Sequence, residues 1–193
     1  MAHTRLVPLT LLFVCTGNIC RSPLAERLVI ARSGPAADIR AHSAGIRAME
    51  GLPMDGPSAR LLAELGGDGR GHVGRQLSES MIAGADLILG AQTLHRDAVL
   101  RLAPTSLRRT FTLREFLRLA ADLSPAPTTE QARALIGGVA GRRGLADPVP
   151  SGADDIADPY LRPLAEVREC AGQISRAIDT TLRLLGAARH PPG

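Results

Sequence analysis

Aromatic residues are scarce in this chain: three Phe, one Tyr and no Trp among 193 residues. A protein that holds nucleic acid by base stacking needs more rings than that, so no nucleic-acid partner is expected. Lysine is absent, and all 23 basic residues are Arg, for a formal net charge of +4. Arg presents a planar fork to phosphate or carboxylate. Ala, Gly and Pro are abundant beside it, as in GC-rich coding sequence, so the charge alone names no anionic partner. Cys occurs only three times. That is no disulfide scaffold, and the odd count leaves a free thiol, which points to a reducing, cytoplasmic setting. No apolar run reaches the roughly 18 residues of a membrane span, so no membrane insertion is expected. Residues 6–14 are apolar and follow Arg5, in the manner of a signal peptide. The run is short, contains Pro8, and carries Phe13 and Val14 where a lipoprotein cleavage site needs small residues. It reads better as a buried strand.

What is present suits one folded domain. Hydrophobic residues make up 45% and the mean hydropathy is +0.05, which excludes a disordered polar chain. Residues 9–14 form a continuous apolar run, as strands covered on both faces do. A helix follows, with Ser22 as N-cap and Pro23 at its first position, ended by Gly34-Pro35. Further strands are expected at 39–44, 86–90 and 110–113, with helices at 57–65, 94–102 and 114–121. Residues 122–157 read as a loop-rich insertion with a helix at 128–136, stopped by Gly137-Gly138. Leu164, Val167, Ala171, Ile174, Ile178, Leu182 and Leu185 keep the spacing of a long amphipathic helix. Residues 1–187 are thus one domain and 188–193 a tail. Alternation of strands and helices predicts an α/β fold, a four-stranded parallel sheet with helices on both faces. Ligands of such sheets bind at the carboxyl ends of strands, which directs attention to the loop after the first strand.

That loop reads Val14-Cys15-Thr16-Gly17-Asn18-Ile19-Cys20-Arg21-Ser22-Pro23. A Cys and an Arg stand five residues apart between a buried strand and a helix start. Successive amides there can curl around an oxyanion, and the helix N-terminus adds partial positive charge. Gly17 and Asn18 tolerate the left-handed backbone angles such a curl needs. Arg21 offers its fork to two phosphoryl oxygens. The same field favours the thiolate of Cys15, to which Ser22 can donate a hydrogen bond. The pattern describes a nucleophile in an anion cradle.

This stretch resembles the signature loop of the low-molecular-weight protein tyrosine phosphatases. His42-Ser43-Ala44-Gly45, His72-Val73-Gly74-Arg75-Gln76-Leu77, Ala85-Asp86-Leu87-Ile88-Leu89 and Asp158-Pro159-Tyr160 resemble further motifs of that family. The resemblance covers about residues 8–121 and 156–186 and leaves the insertion outside. It implies a phosphate-binding loop after the first strand, hydrolysis of phosphotyrosine through a phosphocysteine, and no cofactor or metal. Carried over by residue, it makes Cys15 the nucleophile, Arg21 the phosphate clamp and Asp158 the general acid. Thr16, Gly17, Asn18, Ile19, Cys20 and Ser22 then bind the phosphate, Tyr160 flanks the substrate ring, and Ser43 and His72 support the loop. The implied partner is a phosphotyrosine protein, such as a bacterial tyrosine kinase or its substrate.

Several alternatives stay open on the sequence. Asp147-Pro148 competes with Asp158-Pro159 for the acid role, and Asp154 and Asp155 read as a solvated face. Cys20 either packs the loop or, as in relatives with a second cysteine there, pairs with an oxidised Cys15. Cys170 reads as a core residue. Aromatic walls are missing around Arg47-Ala48-Met49 and at Leu161, which leaves Tyr160 as the only stacking surface and admits a small phosphorylated metabolite as substrate. A thiol-relay arsenate reductase would need one more cysteine outside the loop than Cys170 provides. A non-catalytic phosphate-binding regulator would not need Cys15 and Asp158 together.

Overall fold

The computed structural model describes residues 7–33 and 38–187. The expected stop at Gly34-Pro35 and the tail 188–193 lie outside these residues. The apolar run forms β1 (Leu9–Cys15), followed by α1 (Arg21–Arg32), β2 (Ile39–Gly45), α2 (Gly56–Glu64), α3 (Glu79–Ala83), β3 (Leu87–Gly90) and α4 (Thr93–Leu102). A 3-10 turn (Pro104–Arg109), β4 (Thr110–Thr112), α5 (Leu113–Leu119), α6 (Thr129–Gly141) and α7 (Leu164–Leu184) complete the chain. The strands make one parallel sheet in the order β2-β1-β3-β4.

The sheet is buried on both faces, which is why β1 reads as a solid apolar run. Leu9, Leu11, Phe13, Leu87, Leu89 and Phe111 pack against residues of α1, α2, α5, α6 and α7. Leu12, Val14, Ala44 and Ile88 meet Ile82 of α3 and Val99 of α4 on the other face. The chain leaves β1 toward β2 on one side and later places β3 on its other side, so the order reverses at β1. The crevice above a reversal of this kind is where α/β sheets place ligands. Cys15 ends β1 opposite Gly45, and Val14 lies opposite Gly90.

Several boundaries differ from the sequence reading. The first helix begins at Arg21, and no side chain caps it. Ser22 is therefore not its N-cap, because its hydroxyl is engaged by Cys15 and Asn18. Asp86 stands outside β3, since its carboxylate accepts from Thr10 N at 2.8 Å and pairs with Arg133 at 2.9 Å. The short α3 and the 3-10 turn have too few residues to show a period. In the insertion, the helix runs through Gly137 and Gly138 to Gly141. Ala132, Ile136 and Val139 keep a helical spacing into the core, and their burial outweighs the roughly 1 kcal/mol that each glycine costs.

Candidate active site

The loop from Cys15 to Arg21 is held from outside by its carbonyls. Ile46 N donates to Cys15 O at 3.0 Å, Arg47 N to Thr16 O at 3.0 Å and Met49 N to Gly17 O at 2.9 Å. His72 Nε2 donates to Asn18 O at 2.8 Å, and Asp55 N to Ile19 O at 2.9 Å. A trans peptide puts each C=O opposite the next N–H, and none of the described peptides is cis. Carbonyls tied outward therefore turn the amides of Thr16 through Cys20 inward. Asn18 N, one of these amides, donates to Cys15 Sγ at 3.3 Å. The uncapped first turn of α1 adds its own free amides. The arrangement is an oxyanion cradle with a sulfur at its base.

Asn18 makes the curl possible and ties it down. Its φ is 55°, one of two left-handed non-glycine residues among those described, with Leu161 at 58°. Its Nδ2 donates to Ser22 Oγ and to Ser43 Oγ, both at 2.9 Å, and its Oδ1 accepts from Arg75 N at 2.9 Å. Ser22 Oγ lies 3.0 Å from Cys15 Sγ. With Asn18 as its donor, Ser22 can give its own proton to the sulfur at 3.0 Å, Ala44 O being the longer alternative acceptor at 3.4 Å. Ser43 donates in turn to the buried carboxylate of Glu26, which pairs with Arg75 at 3.2 Å. Gly45 has no room for a side chain, because a Cβ there would stand 2.5 Å from Thr16 O.

Arg21 is buried, with its side chain 2% exposed. Its Nη1 donates to Gln92 Oε1 at 2.7 Å and to Ile156 O at 3.0 Å, and its Nη2 meets Asp158 Oδ2 at 2.6 Å. Gln92 and Ile156 are neutral, so Asp158, 47% exposed, is the only carboxylate on the guanidinium among the described residues. Thr16 Oγ1 lies 3.0 Å from His95 Nε2, while His95 Nδ1 accepts from Gln92 N at 3.0 Å. That places the imidazole proton on Nε2. Burial, then the nearby charge of Arg21, lowers the His95 pKa to about 4, so the ring is neutral. Burial also lowers His72 and raises Cys20 and Cys170 to about 12.

Cys15, Thr16, Gly17, Ile19, Cys20, Arg21, Arg47, Met49, Asp158 and Tyr160 line one cavity of about 260 Å³. Ser22, Asn18, Ser43 and His72 sit behind it as the supporting network. Asp147 is exposed and lines a different cavity with Arg118 and Arg142. Asp154 and Asp155 are not a solvated face. Asp154 pairs with Arg118 at 2.6 Å, and Asp155 Oδ1 accepts from Thr93 N at 2.7 Å. The latter bond pins the segment before Asp158 to the start of α4. Cys170 is buried in the core. Among the described residues no three His, Cys, Asp or Glu side chains cluster as a metal site, and no helix is long and apolar enough to cross a membrane. Sequence reasoning missed Glu26, Gln92, His95 and the backbone of Ile156. Only Glu26 left a signal, a carboxylate in the apolar face of α1.

A family model described as "Low molecular weight phosphotyrosine protein phosphatase" matches residues 10–125. The chain is 39% identical over 95 residues to the low molecular weight protein-tyrosine-phosphatase Etp of Escherichia coli K12, a match covering 49% of this chain and 62% of that protein. It is 29% identical over 174 residues to a protein-arginine-phosphatase of Geobacillus stearothermophilus, covering 90% and 93% of the two chains. The solved low molecular weight protein tyrosine phosphatase from T. tengcongensis superposes with a TM-score of 0.68 at 28% identity, covering 92% of this chain and 99% of that one.

Proposed function

The chain belongs to the low molecular weight phosphotyrosine protein phosphatase family, and on that premise we propose that it hydrolyses phosphotyrosine in proteins through a phosphocysteine intermediate. The observation that carries the proposal is the ring of inward amides around Cys15 Sγ, with Arg21 and Asp158 at its mouth. The phosphoryl group enters the ring and takes Asp158's place on Arg21 Nη2. Ser22 steadies the Cys15 thiolate, which attacks phosphorus as the bond to the phenolic oxygen breaks. Protonated Asp158 gives its proton to that oxygen. Asp158, now a carboxylate, then takes a proton from a water that attacks the phosphocysteine, and phosphate leaves with the thiolate restored. The amides and Arg21 carry the transition-state charge. Gln92 and Ile156 O orient Arg21 without neutralising it, so the full cation is available once Asp158 moves aside.

The arginine phosphatase relative supports a second reading, with a phosphoguanidinium as substrate. The cavity beyond the cradle favours a ring. Ile19, Met49 and Tyr160 form its walls, and the one carboxylate lining it already lies on Arg21. Comparing phosphotyrosine and phosphoarginine peptides, with sugar and nucleotide phosphates alongside, tests the substrate class. Phosphotyrosine should give the highest kcat/KM, and a higher value for phosphoarginine would overturn the assignment. Proteins carrying phosphotyrosine, a tyrosine kinase or its substrate, are the proposed partners.

The acid assignment has its own test. Asp158→Ala should lower kcat/KM by about 10²–10⁴-fold on phenyl phosphate, whose leaving group needs a proton, and by less on nitrophenyl phosphate. Asp147→Ala should stay near the parent enzyme on both. Reversal of the two variants would move the acid to Asp147.

A further inference from the structure

Arg47 is fixed at the backbone and free at the guanidinium. The turn that carries it is bonded to the cradle, with Ile46 N on Cys15 O, Arg47 N on Thr16 O and Met49 N on Gly17 O. Its far side is bonded to Gln76, which accepts from Ala48 N at 2.9 Å and donates to Ile46 O at 3.1 Å. Met49 also lies against Gly17, 3.6 Å from where a Cβ would stand. The turn therefore moves with the cradle and not independently of it. The Arg47 side chain is exposed, lines the same cavity as Cys15 and Tyr160, and has no hydrogen bond or ion pair among the described residues. The other two charged groups lining that cavity, Arg21 and Asp158, pair with each other. Arg75, beneath the cradle, is paired with Glu26. Among the described residues, Arg47 is the cation left without a counter-charge at the mouth.

We infer that Arg47 selects phosphotyrosine sites with an acidic side chain beside the phosphotyrosine. The inference rests on the phosphatase reading. Arg21 and the amides engage the phosphoryl group at the base of the cavity, and Ile19, Met49 and Tyr160 flank the ring. The peptide backbone then leaves at the mouth, where the neighbouring side chains come within reach of the Arg47 fork. A carboxylate there meets a guanidinium whose backbone is already ordered, so only the side chain loses freedom on pairing. A lysine there meets a like charge.

The test separates the two ideas. Phosphotyrosine peptides with Asp, Ala or Lys on either side of the phosphotyrosine are titrated calorimetrically into Cys15→Ser protein, which binds without turning over. The titrations are repeated with Arg47→Ala and Arg47→Glu added. The Asp peptides should bind the Arg47 protein about 5-fold more tightly than the Ala peptides at low salt, the upper range for an exposed pair. That preference should shrink in high salt, vanish in Arg47→Ala, and turn toward the Lys peptides in Arg47→Glu. Equal affinity for Asp and Lys peptides with Arg47 in place, or an Asp preference that survives Arg47→Ala, overturns the inference. Hydrolysis of phenyl phosphate by the protein with Cys15 intact is measured separately. Its failure would sink the phosphatase reading, while the peptide titrations would still decide the role of Arg47.

Discussion

Single side chains set the chemistry of the cradle. Cys15→Ser keeps the shape of the nucleophile but not its readiness to ionise, so turnover of an aryl phosphate should fall below about 1% of the parent value with the fold intact. Arg21→Lys should fail as well, because a point charge cannot replace a fork held by Gln92, Ile156 and Asp158 together. Steady-state kinetics with circular dichroism on each variant checks both. His95 supplies a prediction with a sign. Its folded pKa of about 4 lies below the ordinary 6.5, so the unfolded chain binds more protons between those values. The stability that neutral His95 provides is complete above about pH 6.5 and is lost as pH falls toward 4. Protonation at Nδ1 would also set a donor against the N–H of Gln92. Urea unfolding from pH 7.5 to 4.5 should therefore give a steeper loss of stability for the parent than for His95→Gln. Parallel curves would remove His95 as the cause.

At the scale of elements, α6 closes the open side of the sheet. β4 pairs only with β3, which leaves its outer edge with unpaired backbone groups. Arg143, just past α6, donates to Thr110 O and, at 2.7 Å, to Leu107 O. It also pairs with Glu115 at 2.8 Å and lies 4.1 Å over the Phe111 ring. At the other end of the helix Arg133 ties Asp86 and the carbonyls of Val7 and Pro8 to α6. The segment that reads as loop-rich is thus a buttress for β4 and for the starts of β1 and β3. Arg143→Ala leaves the buried Glu115 with one cation, Arg96 at 3.4 Å, beside the hydrogen bond it accepts from Thr112 N at 3.1 Å. It should cost about 2–3 kcal/mol of stability by urea unfolding, with kcat/KM on phenyl phosphate close to the parent value. A loss within about 0.5 kcal/mol would show that the edge needs no such cover.

Across the whole molecule, the cradle is assembled from β1, α1, the turn after β2, the strand-like segment at 75–77, the start of α4 and the loop before α7. A ligand that satisfies the inward amides binds the folded chain and not the unfolded one. Inorganic phosphate or vanadate at about 100 times its Kd should stabilise the protein by about 2.7 kcal/mol. For a chain of this size that corresponds to a Tm rise of about 5–11 °C. Arg21→Lys should lose most of the rise, and Asp147→Ala should keep it. Thermal melts across a phosphate series would measure both. An equal rise in Arg21→Lys would mean that the stabilising anion sits elsewhere.

Whatever depends on neighbours along the chain is legible in the amino-acid order alone. The apolar run of β1, the 3/4 spacing of α7 and the order Cys15-x5-Arg21 ahead of a helix are local patterns, and local patterns fix backbone period, handed turns and nucleophile type. Tertiary structure decided whatever depends on register between distant segments. Gln92 and Ile156 meet Arg21 only because β3 and the loop before α7 end at the height of Cys15. Asp158 meets Arg21 in the Cys15 cavity while Asp147 lines a different one, and this difference of position is why the acid role is proposed for Asp158 although both sit in the same Asp-Pro context. Ser22 left the helix cap for the sulfur because Asn18, held by Ser43 and Arg75, presents a donor there. Gly137 and Gly138 stayed helical because Ala132, Ile136 and Val139 found a core to bury in. In each case competing local preferences differ by about 1 kcal/mol or less, and packing or hydrogen bonding from elsewhere in the chain exceeds that.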